Sequence, residues 1–215
     1  MIRVALLDFG GIFTTSPFAI PPSVLEGMGL SSEIALRLAF GPYTEDGDHP
    51  WHRLERGEVT LEAAWGDLKE RAKIEGYGHD PLSVLGHMAG EDPQREGVVD
   101  AVRRLRSRGI RICLVTNNVK EFRDGWRSLI PADELLDEVV DSSEEGVRKP
   151  GPEIFRRALA RMGGVAAADA VFVDDVPANV TTAQALGIHG VLAGEDRLAA
   201  FAEIEAIVAR EAAAH

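Results

Sequence analysis

A chain of 215 residues, 45% hydrophobic and 27% charged, is long enough to bury a full core without disulfides or a structural metal. Its net charge of −12 argues against general binding to nucleic acid or anionic membranes, which requires clustered Lys and Arg. No stretch approaches the ~20 apolar residues that span a bilayer, and the lone Cys113 inside "IRICLV" reads as a small buried hydrophobe, so a cytoplasmic, unexported protein is expected.

The first element is "IRVALLD" (2–8), an apolar run that stops on Asp8 and is followed at once by Gly10 and Gly11. Residues 16–90 then hold only helical patterns, such as the Leu61, Trp65, Leu68, Ala72 stripe, together with the loop "GPYTEDGDHP". "REGVVDAVRRLRSRG" places Val98, Val102 and Leu105 on one helix face and ends at Gly109. Its arginines form the wet face of that helix. "IRICLVT" (110–116) is a second strand, "DEVVDSS" (137–143) a weaker one, and "AVFVDD" (170–175) and "HGVLAG" (189–194) complete the set. The runs are continuous rather than alternating, as strands covered on both faces of a parallel sheet are. Proline-led helices at "GPEIFRRALARMGG" and "PANVTTAQALG", and a final one at "DRLAAFAEIEAIVAR", alternate with them. The expected fold is α/β: a Rossmann-like doubly wound parallel sheet formed by 1–15 and 91–215, with 16–90 a smaller all-helical cap inserted between the first two strands.

Ligands of open α/β sheets sit at the carboxyl ends of the strands. The polar residues there are Asp8, then Thr116, Asn117 and Asn118, then Asp174 and Asp175, with Lys149 ahead of a proline-led helix. Taken singly, a Thr or Asn at a strand end is a cap or turn residue, and a lysine before proline is a solvated charge. The adjacent Asp174 and Asp175 repel each other without a compensating cation, and Asp8 at the end of an apolar strand is costly unless paired.

In this order "LLDFGG", "LVTNN", "RKPGPEIF" and "VFVDDVPANVTTA" resemble the four motifs of the haloacid dehalogenase (HAD) superfamily. They are most similar to the subgroup with a helical cap after the first motif, such as the N-terminal phosphatase domain of soluble epoxide hydrolase. The resemblance implies a HAD-like fold and a hydrolase, probable phosphoric monoester chemistry, acting on a small phosphorylated metabolite as a monomer or homodimer. Asp8 would attack phosphorus to form an aspartyl-phosphate that water hydrolyses. Mg²⁺ would be held by Asp8, the backbone carbonyl of Gly10 and Asp175. Thr116 would hydrogen-bond the phosphoryl oxygens with help from the Asn117 backbone. Lys149 would offset their charge and that of Asp8, Asp174 would orient Lys149, and Asn179 would brace the metal loop.

One position departs from the pattern. Most phosphatases of this superfamily carry a second Asp two residues after the nucleophile as general acid and base, and here that position is Gly10. Its backbone oxygen still serves a metal, but the proton relay, typically worth ~10² to 10⁴-fold, is missing. Three outcomes stay open: a leaving group that needs little protonation, a donor from the cap with His49 or His52 as candidates, or a slow or inactive enzyme. The alternative function is a non-catalytic HAD-fold binding or regulatory protein. A 2-haloacid dehalogenase is disfavoured by the retained Asp174-Asp175 pair, and a phosphosugar mutase by the missing acid. Substrate specificity is expected in the cap, where Trp51, Trp65, Tyr43 and Phe18 read as core packing before a substrate cage.

Overall fold

The computed structural model describes residues 1–16, 19, 25, 29–83 and 92–213, and Phe18 lies outside them. Its strands are β1 (Val4–Leu7), β2 (Arg111–Thr116), β3 (Glu138–Asp141), β4 (Ala170–Asp174) and β5 (His189–Leu192). They form one parallel sheet in the order β3-β2-β1-β4-β5. The chain moves outward from β1 to β2 and β3, then returns to the other side of β1 for β4, which makes the β1/β4 boundary the switch point of the sheet.

The helices, in chain order, are α1 (Ser32–Phe40), α2 (Pro50–Glu55), α3 (Leu61–Ile74), α4 (Arg95–Ser107), α5 (Arg123–Arg127), α6 (Ala132–Leu135), α7 (Ser142–Glu145), α8 (Pro152–Arg161), α9 (Pro177–Ala185) and α10 (Arg197–Ala213). Local chemistry sets their ends. Ser31 and Thr60 accept bonds from the N–H groups of Ile34 and Ala63 to open α1 and α3, and prolines occupy the first turn of α2, α8 and α9. Beyond α4 the chain turns through Gly109 at φ +80°, a conformation that glycine adopts without a Cβ penalty.

The sheet explains why the strand runs are continuous. Ala5, Leu7, Ile112, Leu114, Val171 and Val173 point to one face, against α4 and α10; Val4, Leu6, Cys113, Val115 and Phe172 point to the other, against α8 and α9. Both faces are dry, so the alternation expected of a half-wet strand never arises. Burial raises the Cys113 thiol well above its ordinary range, which fits an inert core residue.

Helices α1, α2 and α3 build a separate apolar cluster from Ala35, Ala39, Phe40, Trp51, Leu54, Ala64 and Leu68, joined by Val119 of the β2–α5 connection. The α3 stripe turns out rotated from the sequence expectation. Its buried residues are Ala64, Leu68 and Ala72, whereas Trp65 is 38% exposed, donates from Nε1 to Asp80 and lies under the Lys69 ammonium. The small Ala64 lets α3 pack closely; the indole, with its polar N–H, is better accommodated at the wet surface. No helix among the described residues is long and apolar enough to cross a membrane.

Candidate active site

Parallel pairing in register brings the first and fourth motifs together. Leu7 pairs with Val173, and the Asp8 N–H donates to the Val173 carbonyl at 3.0 Å. Asp8 and Asp174 therefore leave adjacent strands side by side at the switch point. Lys149, on the connection between α7 and α8, reaches between them: its Nζ is 2.6 Å from Asp8 Oδ1 and 2.7 Å from Asp174 Oδ2. Lys149 and Asp174 are almost wholly buried, Asp8 nearly so.

Each member is fixed by a second set of contacts. Asp174 Oδ1 accepts the N–H of Val176 at 2.7 Å, and Asn179 Nδ2 donates to both Asp174 oxygens. With one oxygen also on Lys149, Asp174 is fully occupied as an orienter. Asn117 and Lys149 exchange two bonds: the Lys149 N–H donates to Asn117 Oδ1 at 2.8 Å, and Asn117 Nδ2 donates to the Lys149 carbonyl at 3.0 Å. The Asn117 side chain thus clamps the lysine's backbone. Asn118 instead bonds Asp141 and Ser142, tying the end of β2 to the end of β3. Asp175 accepts from the Ser16 hydroxyl. Thr116 is buried at the carboxyl end of β2.

The two glycines after Asp8 have different reasons for being glycine. Gly11 has φ +71°, and a Cβ there would sit 2.1 Å from Asp175 Oδ2, so the loop closes on Asp175 only without a side chain. Gly10 is not among the positive-φ residues.

One oxygen each from Asp8, Asp174 and Asp175 lies within 4.8 Å of the others, against the single ammonium of Lys149. The electrostatic consequence is visible in their acidities. Burial, reinforced by Asp174 and Asp175 and only partly offset by Lys149, pushes the Asp8 carboxyl up to about 8. Burial and Asp174 push Asp175 up to about 6. Burial pulls the Lys149 ammonium down, but Asp174 and Asp8 outweigh it and hold it above its ordinary value. An excess of hard oxygen donors over positive charge is the donor set a small divalent cation fits. Of the three, Asp8 and Asp175 are the carboxylates not saturated by protein contacts.

A cavity of about 80 Å³ opens beside this cluster, lined by Asp8, Gly10, Asn117, Lys149, Asp175 and Asn179 from the sheet side and by Phe40, Tyr43, Trp51 and Glu55 from the helical side. Glu55 was not legible as a site residue. It ends α2, and its oxygens accept from Trp51 Nε1 at 2.8 Å and from Arg148 Nε at 2.7 Å, all three residues buried. Arg148, immediately before Lys149 and also missed, carries no signal of this in sequence because its partner lies 93 positions away.

His49 and His52 are not brought to the cavity. His49 Nδ1 accepts the Trp51 N–H as a helix cap, and His52 Nδ1 accepts from the Gly47 N–H. Burial, aided by nearby arginines, lowers them to about 3 and about 4. Both imidazoles accept bonds within the α1–α2 region, and the structure does not bring either of these proton-donor candidates beside Asp8.

Comparison with known proteins places this geometry in context. A family model described as haloacid dehalogenase-like hydrolase matches residues 2–187. Acyl-CoA dehydrogenase family member 10 of Mus musculus is 27% identical over 194 residues, covering 88% of this chain but only 18% of that protein. The sesquiterpene phosphatase astK of Aspergillus oryzae is 25% identical over 214 residues, covering 96% of both. Among solved structures, a HAD family enzyme from Bacteroides thetaiotaomicron in complex with magnesium and inorganic phosphate superposes with a TM-score of 0.60 at 18% identity, over 91% of this chain and 96% of that one.

Proposed function

The chain belongs to the haloacid dehalogenase-like hydrolases, and from that premise we propose that it is a Mg²⁺-dependent phosphatase of small phosphomonoesters working through Asp8. The single observation that carries this reading is the Lys149 ammonium 2.6 Å from Asp8 and 2.7 Å from Asp174, beside a third carboxylate and a small cavity. The full-length similarity to a phosphatase and the fold shared with a magnesium- and phosphate-bound enzyme support it. In this reading residues 1–15 and 91–215 are the core and 16–90 the cap.

Asp8 attacks phosphorus through a carboxylate oxygen; the ester P–O bond breaks, and the leaving oxygen takes a proton to depart as the alcohol. Water then attacks the phosphorus of the acyl phosphate, the bond to Asp8 breaks, and inorganic phosphate leaves as the water gives up a proton. Lys149 fixes the Asp8 carboxylate and neutralises charge on the phosphoryl oxygens, and Asp174, braced by Asn179, fixes Lys149. Thr116 and the Asn117 backbone hold the phosphoryl group. Asp8, the Gly10 carbonyl and Asp175 would hold Mg²⁺, which when bound would supply charge neutralisation for the transferring phosphoryl group. Glu55 lines the Asp8 cavity from the cap with both oxygens held by Trp51 and Arg148, so it braces the loop that carries Lys149, and the leaving oxygen takes its proton from water. The lone buried Cys113 is consistent with a cytoplasmic setting.

The test is hydrolysis of a panel of sugar, nucleotide and small organic phosphates with and without Mg²⁺, run beside Asp8→Asn. Mg²⁺-dependent release of phosphate that disappears in Asp8→Asn is the expected result. Activity that survives the substitution refutes the aspartyl-phosphate route, and silence across the panel with the fold intact favours a binding role.

A further inference from the structure

A second cavity, about 770 Å³, adjoins the small one. Tyr43, Asp175 and Val176 line both, so the two spaces meet at the reacting centre. From there the larger groove runs along the start of α9 and the end of β5, past Pro93, Ala178 and Ala193. A volume in this range suits a small organic ligand, and it lies where the organic part of a phosphomonoester extends once its phosphate is beside Asp8.

Apart from the exposed Thr44 and Glu195, the groove's polar side chains among the described residues are turned to the protein. Arg197 is 5% exposed. Its guanidinium is spent on Asp92 at 2.5 and 2.6 Å and on the carbonyls of Ile12 and Thr14. The Gln94 amide donates to the Glu195 carbonyl at 2.7 Å and accepts from the Arg197 N–H at 3.0 Å. Thr15 donates to Asp92, and Ser16 to Asp175. The open space is lined mainly by alkyl and aromatic surface, with Asp175 at its inner end and the exposed Thr44 and Glu195 among its lining. A sugar's hydroxyls would lose their water there without matching partners, at a cost. A second phosphate would meet Glu195 within a chain of net charge −12.

We propose that this groove binds an uncharged, predominantly apolar organic group, so that the substrates are alkyl, prenyl or aryl monophosphates rather than phosphosugars or nucleotides. The inference rests on the phosphatase reading of Asp8 and names its substrate class.

Two measurements on the whole chain with Mg²⁺ test it. Binding of non-hydrolysable n-alkyl phosphonates of increasing length, followed by calorimetry, should tighten by up to about 4-fold for each methylene taken from water and show a negative heat-capacity change. Hydrolysis of n-alkyl monophosphates should rise in kcat/KM along the same series and exceed that of glucose 6-phosphate. In Pro93→Glu and Ala178→Glu the dependence on chain length should flatten. Affinity that does not change with chain length, or a preference for the sugar phosphate, overturns the inference while leaving the phosphatase intact. Phosphonate affinity that climbs with length, with no hydrolysis even of p-nitrophenyl phosphate, keeps the apolar groove and removes the phosphatase.

Discussion

Lys149 Nζ lies 2.6 Å from Asp8 Oδ1 at a point where the ammonium is 1% exposed. Among the described residues it is the cation paired with both Asp8 and Asp174. Lys149→Met therefore leaves two buried carboxylates without a counter-charge. Breaking a buried pair of this kind costs about 3–5 kcal/mol, and turnover should fall by at least about 10³-fold. Urea unfolding alongside steady-state kinetics on p-nitrophenyl phosphate checks both; unchanged stability would show that the pair is not what holds these acids.

Crowded carboxylates predict a metal response that is readable without turnover. Mg²⁺ at about 100 times its dissociation constant should stabilise the fold by about 2.7 kcal/mol, which raises the melting temperature by roughly 5–10 °C for a chain of this size. Asp175→Asn should lose that shift and melt higher than the wild type in chelator. Equal shifts in both proteins would place the ion elsewhere.

The neighbouring glycines make opposite predictions. Gly11→Ala forces a Cβ into the space of Asp175 Oδ2, 2.1 Å away, at φ +71°, so metal response and activity should both fall, the latter by about 10²-fold. Position 10 has no positive φ, and Gly10→Asp should fold normally. A carboxylate there should speed hydrolysis of esters with poor leaving groups more than that of p-nitrophenyl phosphate, as positioned acid catalysis does.

Glu55 and Arg148 join α2 to the lysine loop through a 2.7 Å bond with both side chains buried. Glu55→Gln should cost about 3 kcal/mol by leaving the buried arginine with only the more distant Asp46, 3.5 Å away, as a carboxylate partner among the described residues, and the double substitution with Arg148→Met should recover much of it. Because both Glu55 oxygens are held by Trp51 and Arg148, Glu55→Gln should slow alkyl phosphates and p-nitrophenyl phosphate to the same extent, as a bracing residue does. Selective slowing of the alkyl esters would instead give Glu55 a part in proton transfer.

Stability should also fall with acid through the α1–α3 unit. His52 is lowered to about 4 by burial with Arg148 and Arg56 nearby; His49 is lowered to about 3 by burial, with His52, Arg71, Arg148 and Arg37 adding to it. Unfolded histidines protonate near 6.5. Between about pH 6.5 and 4 these two histidines therefore bind more protons in the unfolded chain than in the folded one, and their contribution to stability drops as pH falls through that window. The raised Asp8 and Asp175 carboxyls act with the opposite sign unless a bound cation keeps them ionised. With Mg²⁺ saturating, wild type should lose on the order of 2 kcal/mol more than His52→Gln across it, read from melting curves. Parallel curves would contradict a neutral buried His52.

The amino-acid order alone determined the α/β class, the strand and helix succession and the identity of the polar residues at the strand ends. These rest on short-range physics: continuous apolar runs, proline and glycine at helix ends, and acids where apolar runs stop. Only the tertiary structure decided which of those groups meet and how each is spent. Asn117 clamps the Lys149 backbone while Asn118 turns to Asp141, a division two adjacent amides do not announce. Trp65 leaves its apolar stripe because a surface acid takes its N–H. Glu55 enters the cavity, and His52 does not, because long-range packing seats α2 against Arg148, and such pairings leave no local pattern for a linear reading to detect.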